Sequence, residues 1–347
     1  MKIFFVIRGL HDPGGIERVT SVLADGLVER GYEIGIVCLQ QGEPFFPLSK
    51  SVKRFYLPSN VLLRVRNLKK LYARENPDII VFVGSHRLLM NIPAAKGIPN
   101  ITWEHFNAKV NWHPLHKLSR RWAVKYSNKI VTLTQQDVEN YVQIFDAKNV
   151  ICIPNSITIP NIETTPLTEK RVLAVGRLAS QKGFDLLLDA WEKTKNRKNG
   201  WNLRIVGSGS HLNRLQKQIL ENGISDSVEI ISTTKNIVEQ YKQASVMVMS
   251  SRYEGLPLVL IETMASGLPI VSFDCQTGPA EIVEHNKTGI LVPALNVEKL
   301  AEALDEVMED GQKRKTFSEN ALLRAKLFDL HRIVDLWENL FREILVN

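Results

Sequence analysis

Cysteine is scarce in this 347-residue chain: Cys38, Cys152 and Cys275 are isolated, odd in number and without metal-site spacing. That argues against a disulfide framework and reads as small buried residues in a reducing compartment. Long apolar runs are missing too. No stretch nears the roughly 18 residues of a membrane span, and the opening run from Lys2 to Ile7 is cut by Arg8, which also argues against a signal peptide. No Asp-x-Asp triplet or His/Asp cluster suggests a metal, and none is expected. Repeats and low-complexity segments are absent. The chain is therefore expected to be cytoplasmic.

The rest of the composition, 44% hydrophobic and 23% charged, is ordinary for a soluble protein long enough for two domains. Its net charge of +7 is uneven. Residues 1–165 carry 21 Lys+Arg against 13 Asp+Glu, and the remainder carries 23 against 24. Two helical stretches concentrate the excess: Arg64, Arg66, Lys69, Lys70 and Arg74, then Lys117, Arg120, Arg121 and Lys125. The second is interleaved with Trp112, Leu115, Leu118 and Trp122. Such a face suits an anionic lipid surface, or is an ordinary amphipathic helix whose Trp and Leu face the core. Nucleic acid is a poor reading, since no reader motif accompanies the charge.

Apolar runs at residues 2–8, 33–39, 52–57, 78–83, 100–104 and 129–133 read as buried parallel strands, with helices at 15–30, 61–75 and 115–126 between them. A second series of strands falls at 171–175, 203–206, 228–231, 246–249 and 270–273. Residues 153–166, rich in Pro, Asn and Thr, form the linker. Alternation of this kind predicts an α/β protein of two doubly wound parallel sheets.

The chemistry concentrates in the second half. Glu254 stands in a Gly/Pro loop and Glu262 in the apolar helical run beyond it, with Pro257 suited to the helix's first turn. The first N–H groups of that helix, near Leu258 and Val259, would attract an anion. A carboxylate beside an anion site needs its own work, such as holding hydroxyls. Phosphate on the helix end and hydroxyls on the flanking glutamates suggest a nucleotide sugar. Upstream, Arg177 and Lys182 follow the strand at 171–175 and could clamp a diphosphate there, or be solvated loop charges. In the first half, Gly14 and Gly15 precede a helix and let backbone approach a ligand. His105, in Trp103-Glu104-His105-Phe106-Asn107, ends a predicted strand, where a lone histidine is either structural or placed to serve a site at that sheet edge.

Gly176-Arg177…Lys182-Gly183, Gly207-Ser208-Gly209, the spaced glutamates, Ala265-Ser266-Gly267-Leu268-Pro269, Gly278-Pro279-Ala280-Glu281 and Gly14-Gly15-Ile16-Glu17-Arg18 together resemble glycosyltransferase family 4. The resemblance covers nearly the whole chain. It implies the GT-B fold, two Rossmann-like domains facing a cleft: residues 1–160 binding the acceptor and 161–347 binding the nucleotide sugar. The resembling fold returns its last helices, here 312–346, to the first domain. The resemblance further implies a retaining transferase moving a hexose or N-acetylhexosamine, from a UDP-sugar more readily than a GDP-sugar. The acceptor would be a saccharide or lipid-linked saccharide of bacterial surface glycan, at the membrane's inner face.

By the same resemblance Arg177, Lys182, Leu258, Val259, Gly207 and Gly209 serve the diphosphate end of the donor. Glu262 holds the ribose, Glu254 the donor sugar, and Gly14 and Gly15 close over the phosphates. His105 contacts the sugar, with Glu104 as the runner-up for an acidic role. Two other readings stay open: a nucleotide-sugar epimerase or hydrolase of the same fold, and a non-catalytic binding protein. A nicotinamide dehydrogenase is disfavoured because the spacing from Gly9 to Gly15 departs from the dinucleotide fingerprint.

Overall fold

The computed structural model describes residues 1–57, 60–85, 91–110, 114–234 and 236–346, with side chains 61, 62 and 114 outside the description. Trp112, one of the aromatics of the second basic stretch, lies outside the described residues. Two compact units divide the chain: Met1–Thr158 with Asp329–Asn347, and Ile159–Phe328.

In the first unit, the described residues form strands β1 (Lys2–Ile7), β2 (Glu33–Cys38), β3 (Lys53–Tyr56), β4 (Ile79–Val83), β5 (Asn100–Trp103), β6 (Lys129–Thr132) and β7 (Val150–Cys152). They make one parallel sheet in the order β3-β2-β1-β4-β5-β6-β7. The central strands are buried on both faces, since successive residues alternate between them and Phe4, Phe5 and Val6, like Ile80, Val81 and Phe82, are all buried. The strand order reverses between β1 and β4. Loops leaving the carboxyl ends of such neighbours turn to opposite faces and open a crevice.

The helix Leu330–Val346 belongs to this unit. Trp337 is fully buried and meets Trp103, the last residue of β5, at 5.1 Å between ring centroids. At its rim Arg30 Nη2 lies 2.9 Å from Asp335 Oδ1, and Lys129 Nζ 2.8 Å from Glu343 Oε1. The chain rejoins the first unit at Asp329, later than residue 312, because Phe317 of the helix Gly311–Ala325 sits in the other core.

The second unit contains β8 (Arg171–Val175), β9 (Asn202–Val206), β10 (Val228–Ile231), β11 (Val246–Met249), β12 (Ile270–Asp274) and β13 (Gly289–Pro293). This sheet is also wholly parallel, in the order β10-β9-β8-β11-β12-β13, and reverses between β8 and β11. Leu187, Leu188 and Trp191 of the helix Phe184–Lys193 pack into a core with Val172, Leu203 and Ile205. Among the described residues no helix is long and apolar enough to cross a membrane.

Candidate functional site

Arg177 and Lys182 follow β8, and Glu254 and Glu262 follow β11, so the fold delivers all four to the switch point of the second sheet. After β8 the chain makes a 3-10 turn, Ser180–Lys182, then Gly183 with φ +62, where a Cβ would meet Ser250 O at 2.1 Å. Only glycine fits so close to the neighbouring loop in that left-handed conformation. Arg177 is exposed on this loop, whereas Lys182 is half-buried and turns inward. Its Nζ lies 2.7 Å from Glu254 Oε1, with Glu254 itself buried.

The two loops are stapled together. Ser250 Oγ donates to Lys182 O at 3.0 Å, Arg252 N to Gln181 O at 2.8 Å, and Gln181 Nε2 to Tyr253 O at 3.2 Å. Arg252 also grips Asp185 with both guanidinium nitrogens, at 2.8 and 2.7 Å, and donates to Ser180 O at 2.8 Å. Burial pushes the Asp185 carboxyl up, but the hydrogen bonds and charge of Arg252 outweigh it and hold the group below the ordinary carboxylate value. From behind, Thr277 Oγ1 donates to Glu254 O at 2.7 Å.

Glu262 lies in the helix Leu258–Ala265, 3% exposed, where the Tyr241 hydroxyl donates to its Oε2 at 2.8 Å. Pro257 is the N-cap of this helix rather than part of its first turn, and Leu258 is the first helical residue. Leu258 and Val259 are half-buried at the helix start, a position whose N–H groups have no carbonyl partner within the helix.

Gly207 and Gly209 have a structural cause of their own. A Cβ at Gly207 would come within 1.9 Å of Gly176 O, and one at Gly209 within 2.3 Å of Leu178 O. Here the loop after β9 lies against the loop carrying Arg177, tied by Leu178 N to Ser208 O at 2.9 Å. This packing accounts for both glycines and braces the cationic loop.

In the first unit Gly14 caps and Gly15 opens the helix Gly15–Glu29, after β1. The helix end is shared with a carboxylate: Glu17 Oε2 would lie 2.2 Å from a Cβ at Gly14. Burial raises the Glu17 carboxyl above its ordinary value, partly offset by hydrogen bonding to its own backbone.

His105 follows β5, 8% exposed, its ring 4.5 Å from that of Trp103. Glu104 points inward. Its Oε1 accepts from the His105 and Phe106 amides at 3.1 and 3.3 Å, and its Oε2 from the Tyr141 hydroxyl at 3.0 Å. Arg120 Nε lies 3.6 Å from the same Oε2, and its other nitrogens donate to the carbonyls of Asn107, Ala108 and Val110 at 3.0, 2.9 and 3.2 Å. Arg120 is 2% exposed, so it leaves the basic face on which the sequence placed it. Glu104 is consumed in shaping the His105 loop.

The exposed face of the helix Pro114–Tyr126 keeps Lys117, Arg121 and Lys125, with Leu115 and Leu118 at 51% and 43% exposure facing outward rather than into the core. Arg252, Asp185, Tyr241 and Thr277 were not anticipated. Arg252 stands two residues before Glu254, but its partner Asp185 is 67 positions away.

Residues 13–159 match the family described as Glycosyltransferase Family 4, and residues 155–324 the one described as Glycosyl transferases group 1. An uncharacterized glycosyltransferase of Haemophilus influenzae is 31% identical, over 98% of this chain and 99% of its own length. The amylovoran biosynthesis glycosyltransferase AmsD of Erwinia amylovora is 30% identical over the same shares. Among solved structures, TarM of S. aureus, in complex with fondaparinux, alpha-GlcNAc-glycerol and UDP, superposes with a TM-score of 0.82. It is 16% identical, with 98% of this chain and 99% of that one covered. The two parallel Rossmann-like sheets are those of the GT-B fold, and the chain belongs to glycosyltransferase family 4.

Proposed function

We propose that this glycosyltransferase moves a hexose or N-acetylhexosamine from a UDP-sugar to a saccharide or lipid-linked saccharide of bacterial surface glycan, with retention, forming an α-linkage and using no metal. The observation that carries this reading is the Lys182–Glu254 pair, 2.7 Å apart at the switch point of the second sheet and next to a helix start. A lysine beside a carboxylate supplies one group for a phosphate and one for sugar hydroxyls. AmsD, named for amylovoran biosynthesis, supports the glycan setting, and TarM, solved in complex with UDP, supports the nucleotide.

In this reading the Ile159–Phe328 unit binds the donor and the first unit the acceptor. Breaking the bond from the anomeric carbon to the β-phosphate oxygen places negative charge on the departing diphosphate. Arg177, Lys182 and the N–H groups of Leu258 and Val259 stabilise that charge as it grows; fixed stabilisation of this kind is usually the largest catalytic contribution. Gly207 and Gly209 brace the loop that carries Arg177, and Gly14 and Gly15 serve the donor phosphates. Glu262 holds the ribose, Glu254 the donor sugar, and His105 a further sugar hydroxyl. The acceptor oxygen bonds to the anomeric carbon on the face the phosphate leaves, and its proton passes to the β-phosphate oxygen. The enzyme works in the cytoplasm. Lys117, Arg121 and Lys125, with Leu115 and Leu118, rest it on the anionic inner leaflet.

The test is release of nucleoside diphosphate from a panel of UDP- and GDP-sugars, with and without saccharide and lipid-linked acceptors. Acceptor-stimulated release from one UDP-sugar, with an α-anomeric product by NMR, is the expected result. Release that ignores every acceptor would support a hydrolase or epimerase instead.

A further inference from the structure

Glu262 is 3% exposed, and a carboxylate so placed keeps one orientation only where polar partners hold it. Tyr241 supplies such a partner. Its ring is fully buried, and its hydroxyl reaches Glu262 Oε2 at 2.8 Å from the short helix Ile237–Lys242. The bond ties the helix before β11 to the helix after it, 21 positions apart in sequence.

We propose that Tyr241 is a positioning residue that sets the ribose specificity of the donor site, by fixing the Glu262 carboxylate against the vicinal hydroxyls of the nucleotide. The inference rests on the reading of Glu262 as the ribose-binding carboxylate. The terminal torsion of a glutamate is broad and roughly two-fold, so the chain packing around it does not by itself choose the carboxylate plane. A charge-assisted O–H···O⁻ bond to one oxygen does choose it. The carboxylate then meets a ribose diol in a set orientation. A buried group committed to hydroxyls in this way discriminates against analogues that lack them, because the bonds it makes to those hydroxyls are lost.

The role separates from a structural one by comparing two ligands. UDP and 2′,3′-dideoxy-UDP are titrated calorimetrically into the full chain as wild type, Tyr241→Phe and Glu262→Gln. The wild type prefers UDP. In Tyr241→Phe the affinity for UDP falls about tenfold, while that for dideoxy-UDP stays within about twofold, the scale of one lost hydrogen bond to a charged group. Equal loss for both ligands, or no loss for either, overturns the proposal, and a collapsed preference in Glu262→Gln then keeps the ribose reading standing. An unchanged preference in Glu262→Gln overturns the ribose reading and the proposal with it. If Tyr241→Phe does not fold, Tyr241→Phe/Glu262→Met, which removes both ends of the bond, is compared with Glu262→Met alone. Equal ligand preferences are expected; a further loss confined to UDP in the double variant shows Tyr241 acting other than through Glu262 and overturns the proposal.

Discussion

Lys182 Nζ and Glu254 Oε1 lie 2.7 Å apart, a cation from the loop after β8 against an anion from the loop after β11. The pair is 20% and 7% exposed, so neither charge is strongly screened by solvent. In the proposed mechanism an entering donor draws Lys182 to phosphate and leaves Glu254 to sugar hydroxyls. Glu254→Gln therefore separates binding from turnover. UDP, which lacks the sugar, binds Glu254→Gln as tightly as wild type or more tightly, because the competing carboxylate is gone. Turnover falls by about 10²-fold, the scale of one lost transition-state contact. Calorimetry and steady-state kinetics on one preparation check both halves.

The Arg252–Asp185 pair gives a pH-dependent stability. Its carboxyl is held below its unfolded value, so its contribution is fully present above pH 4 or so and is lost as pH falls through the lower folded value. At 29% and 21% exposure the bidentate pair contributes about 1 kcal/mol. Asp185→Asn is expected to unfold at lower denaturant than wild type at pH 6, with the gap closing below about pH 4. A gap that does not change with pH would separate Asp185 from that titration.

Arg120 and Glu104 are 2% exposed each and belong to one buried network with Tyr141. Removing one partner strands the other charge, so Arg120→Met costs about 3–5 kcal/mol in denaturant unfolding. Tyr141→Phe, which removes one hydrogen bond, costs about 1–2 kcal/mol. Because Glu104 holds the amides of His105 and Phe106, both variants also disturb the His105 loop.

The same burial bears on lipid binding. Lys117→Ala, Arg121→Ala and Lys125→Ala each weaken sedimentation with anionic vesicles about fivefold, on the order of 1 kcal/mol per cation near the surface. Turnover on a water-soluble acceptor stays at the wild-type level. Equal binding of the triple variant and the wild type would remove the membrane face.

Much of this was legible in the sequence for physical reasons. Buried parallel strands are continuous apolar runs, so β1, β5, β8, β9 and β11 stood out, and the segments that follow them carried the candidate residues. The strands β7 and β13 did not. β7 has only three residues, all half-buried, and β13 begins with Gly289, ends on Pro293 and forms the edge of its sheet. Arg120 was misplaced because a helix period marks a charge as outward, whereas here a buried carboxylate and three backbone carbonyls draw it in. Pairs such as Arg252 with Asp185 or Tyr241 with Glu262 come from different loops and helices, and no local spacing records them. The glycines at 207 and 209 were visible, but not that a neighbouring loop requires them.

In the proposed mechanism Lys182 stabilises the charge of a departing diphosphate without a metal. The most direct test is the turnover of folded Lys182→Ala against wild type, each with and without chelator. Loss of Lys182 is expected to lower turnover by about 10²–10³-fold, and chelator is expected to leave the wild type unaffected. Near wild-type turnover in Lys182→Ala, or abolition of wild-type activity by chelator, would contradict this mechanism.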